Sequence, residues 1–420
     1  KKTGGRFMLR LDDTDVKRTK DEFRQMILTD MKWLGLEFDE LVKQSERLEI
    51  YEKCRDLLLK SGRLYECFES EQELSLQRKA QIASGMAPLY DRGHLHLSDE
   101  KKAEFLAEGR KPHYRFLLKD SGASWNDKIK GQIEYKGRTF SDPVLVRENG
   151  SPTYTFCSVV DDLEFGVSDV IRGEDHITNT AIQIQIFEAL IETGFGEKIP
   201  DFAHLALIKA IDGKISKREG GFDVKALRKN GVEALALTNF LAQIGTSKNV
   251  EIYKNFDELV DNFDFKNFSK SSTKYDLKEV EIINQKLLLK LDLEDVALRL
   301  QEIGLPEIDE KFWQIMKQNI AFLSDLKKWH EICFGDFIFE NDEEDREFLQ
   351  KCAEFLPQNT KDENCWSDWL SAIKENSTRK GKQLFMPIRL ALTGQKNGPE
   401  LRDLVNLISR EKILARLGSI

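Results

Sequence analysis

No apolar run in the 420 residues approaches the ~18 to 20 needed for a membrane-spanning helix. The longest, such as Ala206-Leu207-Ile208 and Leu287-Leu288-Leu289, are soon broken by charge, so the expectation is a soluble chain with no membrane partner. The six cysteines, at 54, 67, 157, 333, 352 and 365, contain no C-x-C or C-x-x-C pair. That excludes a disulfide framework or zinc site read from spacing and suits a reducing cytoplasm. Lys1-Lys2-Thr3-Gly4-Gly5 carries neither an initiating Met nor a signal-type apolar segment, which leads to the expectation that the chain begins in mid-protein. No fixed-period repeat or low-complexity tract is present. What remains, 40% apolar and 33% charged residues, is ordinary globular composition with room for roughly two to four domains.

The net charge of -9 argues at first against a polyanionic partner, yet it is unevenly placed. Residues 331–370 hold twelve acids and three bases, whereas residues 371–420 hold ten bases and four acids. A second basic stretch, residues 204–230, has seven Lys or Arg against three acids. A solvated helix face is the bland explanation of any one such run.

Phe7 to Leu11 reads as a buried strand ending at Asp12-Asp13-Thr14-Asp15. A helix follows, with Thr19 and Glu22 as a capping box, an apolar stripe at Phe23, Met26, Ile27 and Leu34, and Gly35 as the stop. Strand, acidic turn and helix make an α/β unit, whose functional side chains are expected at the strand's carboxyl end. From about Cys67 to Gly150 the pattern turns to short β pieces, including 132–135 and 144–147, with Asn149-Gly150 as a hairpin-type turn, and reads as an insertion. Tyr154 to Val160 reads as a second apolar strand and 169–171 as a third, followed by a helix across Ile182 to Ile191. Beyond about residue 225 the period is helical; Asp292 to Gly304 is one such helix, and Trp313, Met316, Ile320 and Leu323 repeat the spacing.

Three clusters carry chemistry. Lys214-Ile215-Ser216-Lys217-Arg218, bracketed by glycines, suits charge developing on a polyphosphate leaving group, although a basic surface turn would look similar and the spacing is not that of a Walker A loop. Arg172, with Glu174, Asp175 and His176 directly after a strand, can read a carboxylate or phosphate while the acids hold an ammonium, a ribose hydroxyl or Mg²⁺ through water. The carboxylates of Asp12 to Asp15 could bind an ammonium group, or simply form an Asp-rich turn.

Taken together, Leu9-Arg10-Leu11-Asp12-Asp13-Thr14-Asp15, Pro152-Thr153-Tyr154, Val159-Val160-Asp161-Asp162, Val170-Ile171-Arg172-Gly173-Glu174-Asp175-His176 and Lys214 to Arg218 resemble bacterial glutamyl-tRNA synthetase in identity and order. The resemblance continues through Leu384 to Gly394 and Gly398 to Leu401, and so covers nearly the whole chain. It implies an α/β and all-α multidomain protein: a Rossmann-type parallel-sheet catalytic domain with an inserted α+β domain, followed by a helical anticodon-binding half. On this reading residues 1–65 and 153–209 form the catalytic domain, 66–152 the acceptor-binding insertion, 210–290 the stem-contact region and 291–420 the anticodon-binding region.

The implied reaction is ATP-dependent glutamate adenylation, with Mg²⁺, followed by transfer to tRNA(Glu). Asp12, Tyr154, Ser158 and Arg172 would bind L-glutamate. Asp175, Lys214, Ser216, Lys217 and Arg218 would bind ATP, with Lys214 and Lys217 catalytic through the departing pyrophosphate. Arg379, Lys380, Lys382, Arg389, Lys396 and Arg402 are the expected tRNA contacts, and a monomer is expected. Features around Asp12 and residues 179–185 resemble the second enzyme of bacteria with two copies, which adds tRNA(Gln) as a candidate second substrate.

Asp12 stands where Glu is common in the family and Ser158 where some members have an amide. Cys67 lies where some members carry a zinc cluster; lacking a partner cysteine, it is expected to be a small buried apolar residue with no zinc. The family's H-I-G-H segment is absent, and His94-Leu95-His96 is no substitute. The 420 residues alone are therefore expected to adenylate poorly, either as part of a longer enzyme or as a non-catalytic tRNA-binding paralogue. The intact Lys214 to Arg218 loop favours the enzyme. Helical spacing in 292–323 disfavours a glutaminyl-tRNA synthetase, whose anticodon region is a β-barrel.

Overall fold

The computed structural model describes residues 1–14, 20–210, 223–305 and 307–418. These fall into two compact units. One takes the described part of Lys1–Ile215 with Gln243–Asn249 and Val260–Tyr275, and the other the described part of Ser216–Ala242 with Val250–Leu259 and Asp276–Ile420.

The first unit opens with β1 (Met8–Leu11), α1 (Asp21–Trp33) and β2 (Glu40–Lys43), and β1 pairs with β2 in parallel, Leu9 opposite Leu41. β1 and α1 are the expected strand and helix, although only Leu11 of β1 is buried, and Gly35 stops the helix in the left-handed region at φ +69°; Asp15 of the acidic cluster lies outside the described residues. Thr19 of the expected capping box lies outside the described residues. The apolar stripe of α1 does not become core, since Phe23 is 47% and Ile27 40% exposed.

Next come α2 (Leu48–Lys60) and β3 (Leu64–Cys67), then α3 (Glu71–Ala83), α4 (Asp99–Ala107), β4 (His113–Phe116), β5 (Ala123–Asp127), β6 (Gly131–Tyr135) and β7 (Val144–Val146). Strands β3, β4 and β7 form one antiparallel sheet and β5 with β6 another. In α3 the Ser70 hydroxyl and the Glu73 carboxylate cap each other's backbone N–H groups. After β7 the chain reverses at Asn149-Gly150, where Gly150 takes φ +81° and its N–H donates to the Arg147 carbonyl.

Residues 154–160 form not a strand but the start of a helix, α5 (Tyr154–Glu164). Their aromatic and β-branched content suggests β, but Phe156, Val159, Val160 and Leu163 are all buried at helical i, i+3, i+4, i+7 spacing. Then follow β8 (Asp169–Gly173), α6 (Ile177–Glu192), β9 (Asp201–Leu205) and β10 (Ile208–Ala210). β8 pairs with β9 in parallel, Arg172 opposite His204. Packing of α2, α5 and α6 closes the core around Leu58, Phe116, Phe156, Ile186, Phe187 and Leu190. The apolar 182–186 run lies in α6 as expected, and that helix is buried on several faces.

The later chain contains α7 (Val224–Lys229), α8 (Ala234–Gln243), α9 (Phe256–Asp261), β11 (Thr273–Tyr275, parallel to β10) and then α10 (Leu277–Lys290) and α11 (Leu293–Glu302). After these come α12 (Glu310–Met316), α13 (Asp325–Phe334), α14 (Glu343–Glu354), α15 (Cys365–Glu375), α16 (Lys382–Thr393), α17 (Leu401–Val405) and α18 (Arg410–Arg416). Asp292 and Asp295 form the capping box of α11, and Gly304 ends it at φ +69°. Trp313, Met316, Ile320 and Leu323 are all buried, although α12 stops at Met316 and the last two lie in the segment between α12 and α13. Gly394 ends α16 in the left-handed region with the Phe337 ring 2.8 Å from where a Cβ would stand, so no side chain fits there.

Asp161 is wholly buried, and its carboxylate accepts hydrogen bonds from Gln44 Nε2, Arg47 Nε and Tyr51 Oη, each at 2.9 Å. Arg10 Nε is 3.7 Å from it, and Arg10 Nη1 donates to Asp162 at 2.7 Å. Burial alone would depress the Arg10 pKa, but Asp162, Asp12 and Asp161 more than offset it and raise it. Asp161→Ala would leave two guanidinium groups short of a buried counter-charge. It should lower the unfolding free energy by about 3 kcal/mol, measured by urea denaturation; an unchanged midpoint and slope would show that the neighbouring acids compensate.

Candidate active site

The carboxyl end of β8 and the buried faces of α5 and α6 bring two of the expected glutamate ligands, Tyr154 and Ser158, close to Arg172, whereas Asp12 at the end of β1 contacts Arg10 instead. Arg172 Nη1 donates to Tyr154 Oη at 3.2 Å, while Nη2 donates to Thr180 Oγ1 at 2.6 Å and Gln183 Oε1 at 2.5 Å. The Tyr154 ring stands edge-on to His176 at 5.9 Å. Ser158, 2% exposed, donates from its hydroxyl to the Tyr154 carbonyl at 2.8 Å and accepts from Gln183 Nε2 at 2.7 Å. Its link to Arg172 therefore runs through Gln183, which supplies an amide at the place where Ser158 has none.

Asp12 is exposed, and its Oδ1 accepts from Arg10 Nε at 3.2 Å. Arg10 binds Asp162, whose carboxyl burial pushes up while Arg10 and, more weakly, Arg172 pull it down. The acidic turn and the arginine cradle thus share one electrostatic neighbourhood. Asp13 belongs to the scaffold, accepting from Ser45 N–H and Oγ–H, both at 2.8 Å.

The two acids after Arg172 separate in role. Glu174 accepts the Leu207 N–H at 3.0 Å and pairs with Lys130, contacts that hold its carboxyl below the usual range. Asp175 has a side chain 59% exposed and only a long contact, 4.0 Å, with His176 Nε2. Lys214, Ser216, Lys217 and Arg218 lie outside the described residues.

Thr180, Gln183, His204 and Asp127 were missed in the sequence because they come from α6, β9 and β5. His204, wholly buried, places Nε2 2.8 Å from Thr180 Oγ1 and Nδ1 2.5 Å from Asp127 Oδ2. Asp127 and His204 stand 77 residues apart on strands of different sheets, so no local pattern joins them.

In the insertion, Cys67, Glu69 and His113 bring a thiol, a carboxylate and an imidazole within 4.8 Å of one another. Cys67 is therefore buried, as expected, but in polar company. Tyr90 Oη donates to Glu69 Oε1 at 2.6 Å and lies 3.5 Å from Cys67 Sγ, Glu69 Oε2 stands 2.9 Å from His94 Nδ1, and His113 Nε2 makes no hydrogen bond. Burial pushes the Cys67 thiol up to about 12 and His113 down to about 4. One sulfur in three donors does not fit the closed four-ligand, cysteine-rich zinc site that some synthetases carry.

In the helical unit the expected tRNA contacts divide. Lys380, Lys382, Lys396 and Arg402 are exposed. Arg379 is tied to Asp345 and the Glu344 carbonyl and lies over the Phe348 ring at 4.5 Å. Arg389 donates to the Pro399 carbonyl at 2.9 Å, leaves Nη1 unpartnered, and borders a cleft of about 230 Å³ with Trp366, Phe385 and Arg402. Burial pushes its pKa down.

Residues 1–282 match the family described as tRNA synthetases class I (E and Q), catalytic domain, and residues 301–420 match an anticodon binding domain. Glutamate–tRNA ligase 1 of Rickettsia akari is 46% identical over 420 residues, covering 100% of this chain and 93% of that protein. Glutamate–tRNA ligase 2 of Rickettsia canadensis is 45% identical over 419 residues, covering 99% and 93%. The crystal structure of a glutamate tRNA ligase from Elizabethkingia meningosepticum, in complex with its amino acid, superposes with a TM-score of 0.83 at 26% identity, covering 99% of this chain and 92% of that one.

Burial alone would raise the Asp127 carboxyl pKa, but His204 and three backbone N–H donors hold it well below the usual range. The resulting stability is present above the unfolded value of about 3.9 and is lost as pH falls through it toward the folded value. Urea unfolding of the wild type should therefore weaken more steeply between pH 5 and 3 than that of Asp127→Asn; parallel curves would show that the carboxylate contributes no such linkage.

Proposed function

The chain belongs to the class I tRNA synthetase family of the glutamate and glutamine enzymes, and on that premise we propose that it works as a glutamate–tRNA ligase through the site around Arg172. The observation that carries the site assignment is the cradle itself. Arg172 is held by Tyr154, Thr180 and Gln183, all neutral, so its charge stays available for a substrate carboxylate. Tyr154 presents a hydroxyl beside it, Ser158 steadies Gln183, and Asp12 supplies the carboxylate for the glutamate ammonium. For Asp12 to do so its contact with Arg10 must be shared with the substrate.

In the first step an oxygen of the glutamate α-carboxylate attacks the α-phosphorus of ATP. The new C–O–P bond forms as the α–β phosphoanhydride breaks and pyrophosphate leaves. A ribose hydroxyl of the terminal adenosine of tRNA then attacks the acyl carbon and AMP departs. Class I synthetases use ATP with Mg²⁺; we assign ATP contact to Asp175, the more exposed acid of the pair, and to Lys214, Ser216, Lys217 and Arg218, with Lys214 and Lys217 stabilising the pyrophosphate. No zinc is assigned to the Cys67 cluster.

The domain reading follows the same logic: catalytic residues 1–65 and 153–209, acceptor-binding insertion 66–152, stem-contact residues 210–290 and anticodon-binding residues 291–420. tRNA(Glu) is the proposed partner, with tRNA(Gln) as the second candidate, for a monomer acting in the cytoplasm. Lys380, Lys382, Lys396 and Arg402 suit phosphate contact because they are exposed, whereas the arginine and aromatic cleft at Arg389, Trp366 and Phe385 suits a stacked base. Arg379 supports this surface from beneath by its bond to Asp345.

ATP–pyrophosphate exchange on the natural protein in the presence of tRNA should depend on glutamate and not on glutamine. No exchange with tRNA still bound would replace the ligase by a non-catalytic tRNA-binding role. The double variant Lys380→Glu, Lys382→Glu should weaken tRNA binding and flatten its dependence on log[salt] by roughly one to two phosphate contacts, with ATP affinity unchanged. An unaltered slope would remove these lysines from the tRNA interface.

A further inference from the structure

Neutral acceptors preserve the charge of Arg172 but can aim it only if they are themselves aimed. Among the described residues no carboxylate lies at ion-pair distance from this guanidinium, so its orientation depends on Tyr154, Gln183 and Thr180. Thr180 is wholly buried and reaches His204, itself wholly buried. The His204 ring is locked: it stacks on Phe202 at 6.3 Å and 16°, and Trp125 packs against it at 6.2 Å. Its Nδ1 meets Asp127 Oδ2 at 2.5 Å.

Asp127 is fixed in turn. It is 2% exposed, and its Oδ1 accepts the backbone N–H groups of Ile129 at 3.0 Å, Lys130 at 2.9 Å and His204 at 3.1 Å. An ionised carboxylate only accepts, so the His204 proton sits on Nδ1. With the imidazole neutral, Thr180 donates to Nε2; with it charged, Thr180 accepts from Nε2 and donates to the His176 carbonyl 3.2 Å away. In both cases the Thr180 oxygen keeps a lone pair for Arg172. The chain of contacts therefore runs from a backbone-anchored carboxylate through a clamped ring to the guanidinium, without placing a negative charge on it.

We infer that Asp127, His204 and Thr180 form a buried positioning relay that aims the Arg172 guanidinium at a carboxylate of the substrate, so that breaking it weakens glutamate binding and leaves ATP binding intact. The inference rests on the reading of Arg172 as a glutamate ligand. A network that merely held β5, β9 and α6 together would alter stability without separating the two substrates.

The test measures KM for glutamate, KM for ATP and kcat by ATP–pyrophosphate exchange on the natural protein with tRNA, and the thermal midpoint of each variant. Thr180→Val keeps the shape and removes the hydroxyl; it should raise glutamate KM by about tenfold or more with ATP KM within about twofold. Thr180→Ser, which keeps the oxygen, should restore the wild-type value. Asp127→Asn should move glutamate KM in the same direction as Thr180→Val, and it serves as the second variant if valine does not fold. If Arg172→Lys raises glutamate KM while Thr180→Val and Asp127→Asn, folded, do not, the relay is overturned and the Arg172 reading stands. If Arg172→Lys leaves glutamate KM unchanged, the Arg172 reading fails and the relay falls with it. Equal rises in both KM values would mark a structural role and also overturn the proposal.

Discussion

Asp161 has no access to water, and the first unit is organised around that fact. A buried carboxylate is costly unless it is paired and fully hydrogen-bonded, and Asp161 meets the requirement by drawing Gln44, Arg47 and Tyr51 toward α5. Arg10 is held in the same cluster by Asp162 and is also bonded to Asp12. One desolvated charge on a helix thereby sets the position of the strand end that presents the acidic turn. Tyr51 bears the same imprint: burial and then the Asp161 charge push its hydroxyl pKa up, so it remains a donor.

Arg172 follows the opposite electrostatic rule. Arg10 and Arg47 are neutralised by direct carboxylate contacts and serve the scaffold. Arg172 is surrounded by an amide, two hydroxyls and, farther off, the Phe202 ring at 5.9 Å. A site that must bind an amino acid with two carboxylates benefits from a cation whose charge has no internal partner. The cost of burying such a cation is moderated by several good acceptors rather than by one anion. The same contrast separates Glu174, occupied by Lys130 and a backbone N–H, from the exposed Asp175.

Much of the fold was legible from local pattern. The β1 strand, the α1 helix, the Asn149-Gly150 reversal and the helix from Asp292 to Gly304 depend on local pattern, and each reappears in the structure. The error at 154–160 has a physical source: a helix buried on several sides is rich in Phe and Val, so composition points to β and only the longer period through Leu163 reveals the helix. The α1 stripe erred differently, because amphipathic spacing shows that a face could be buried and does not supply a surface to bury it.

The sequence by itself determined the family, through ordered motifs whose residue types are set by the chemistry of ammonium, carboxylate and phosphate. The same motifs offered Arg172, with Asp12, Tyr154 and Ser158, as candidate ligands of the glutamate. Only the tertiary structure decided that Thr180, Gln183, His204 and Asp127 surround that arginine, that Ser158 faces inward, and that Arg379 is tied to Asp345 while Lys380 is exposed. The reason is separation: the Asp127–His204 contact joins positions 77 residues apart. Such a contact leaves no trace in a local period, because it exists only once packing has brought two elements within hydrogen-bond reach.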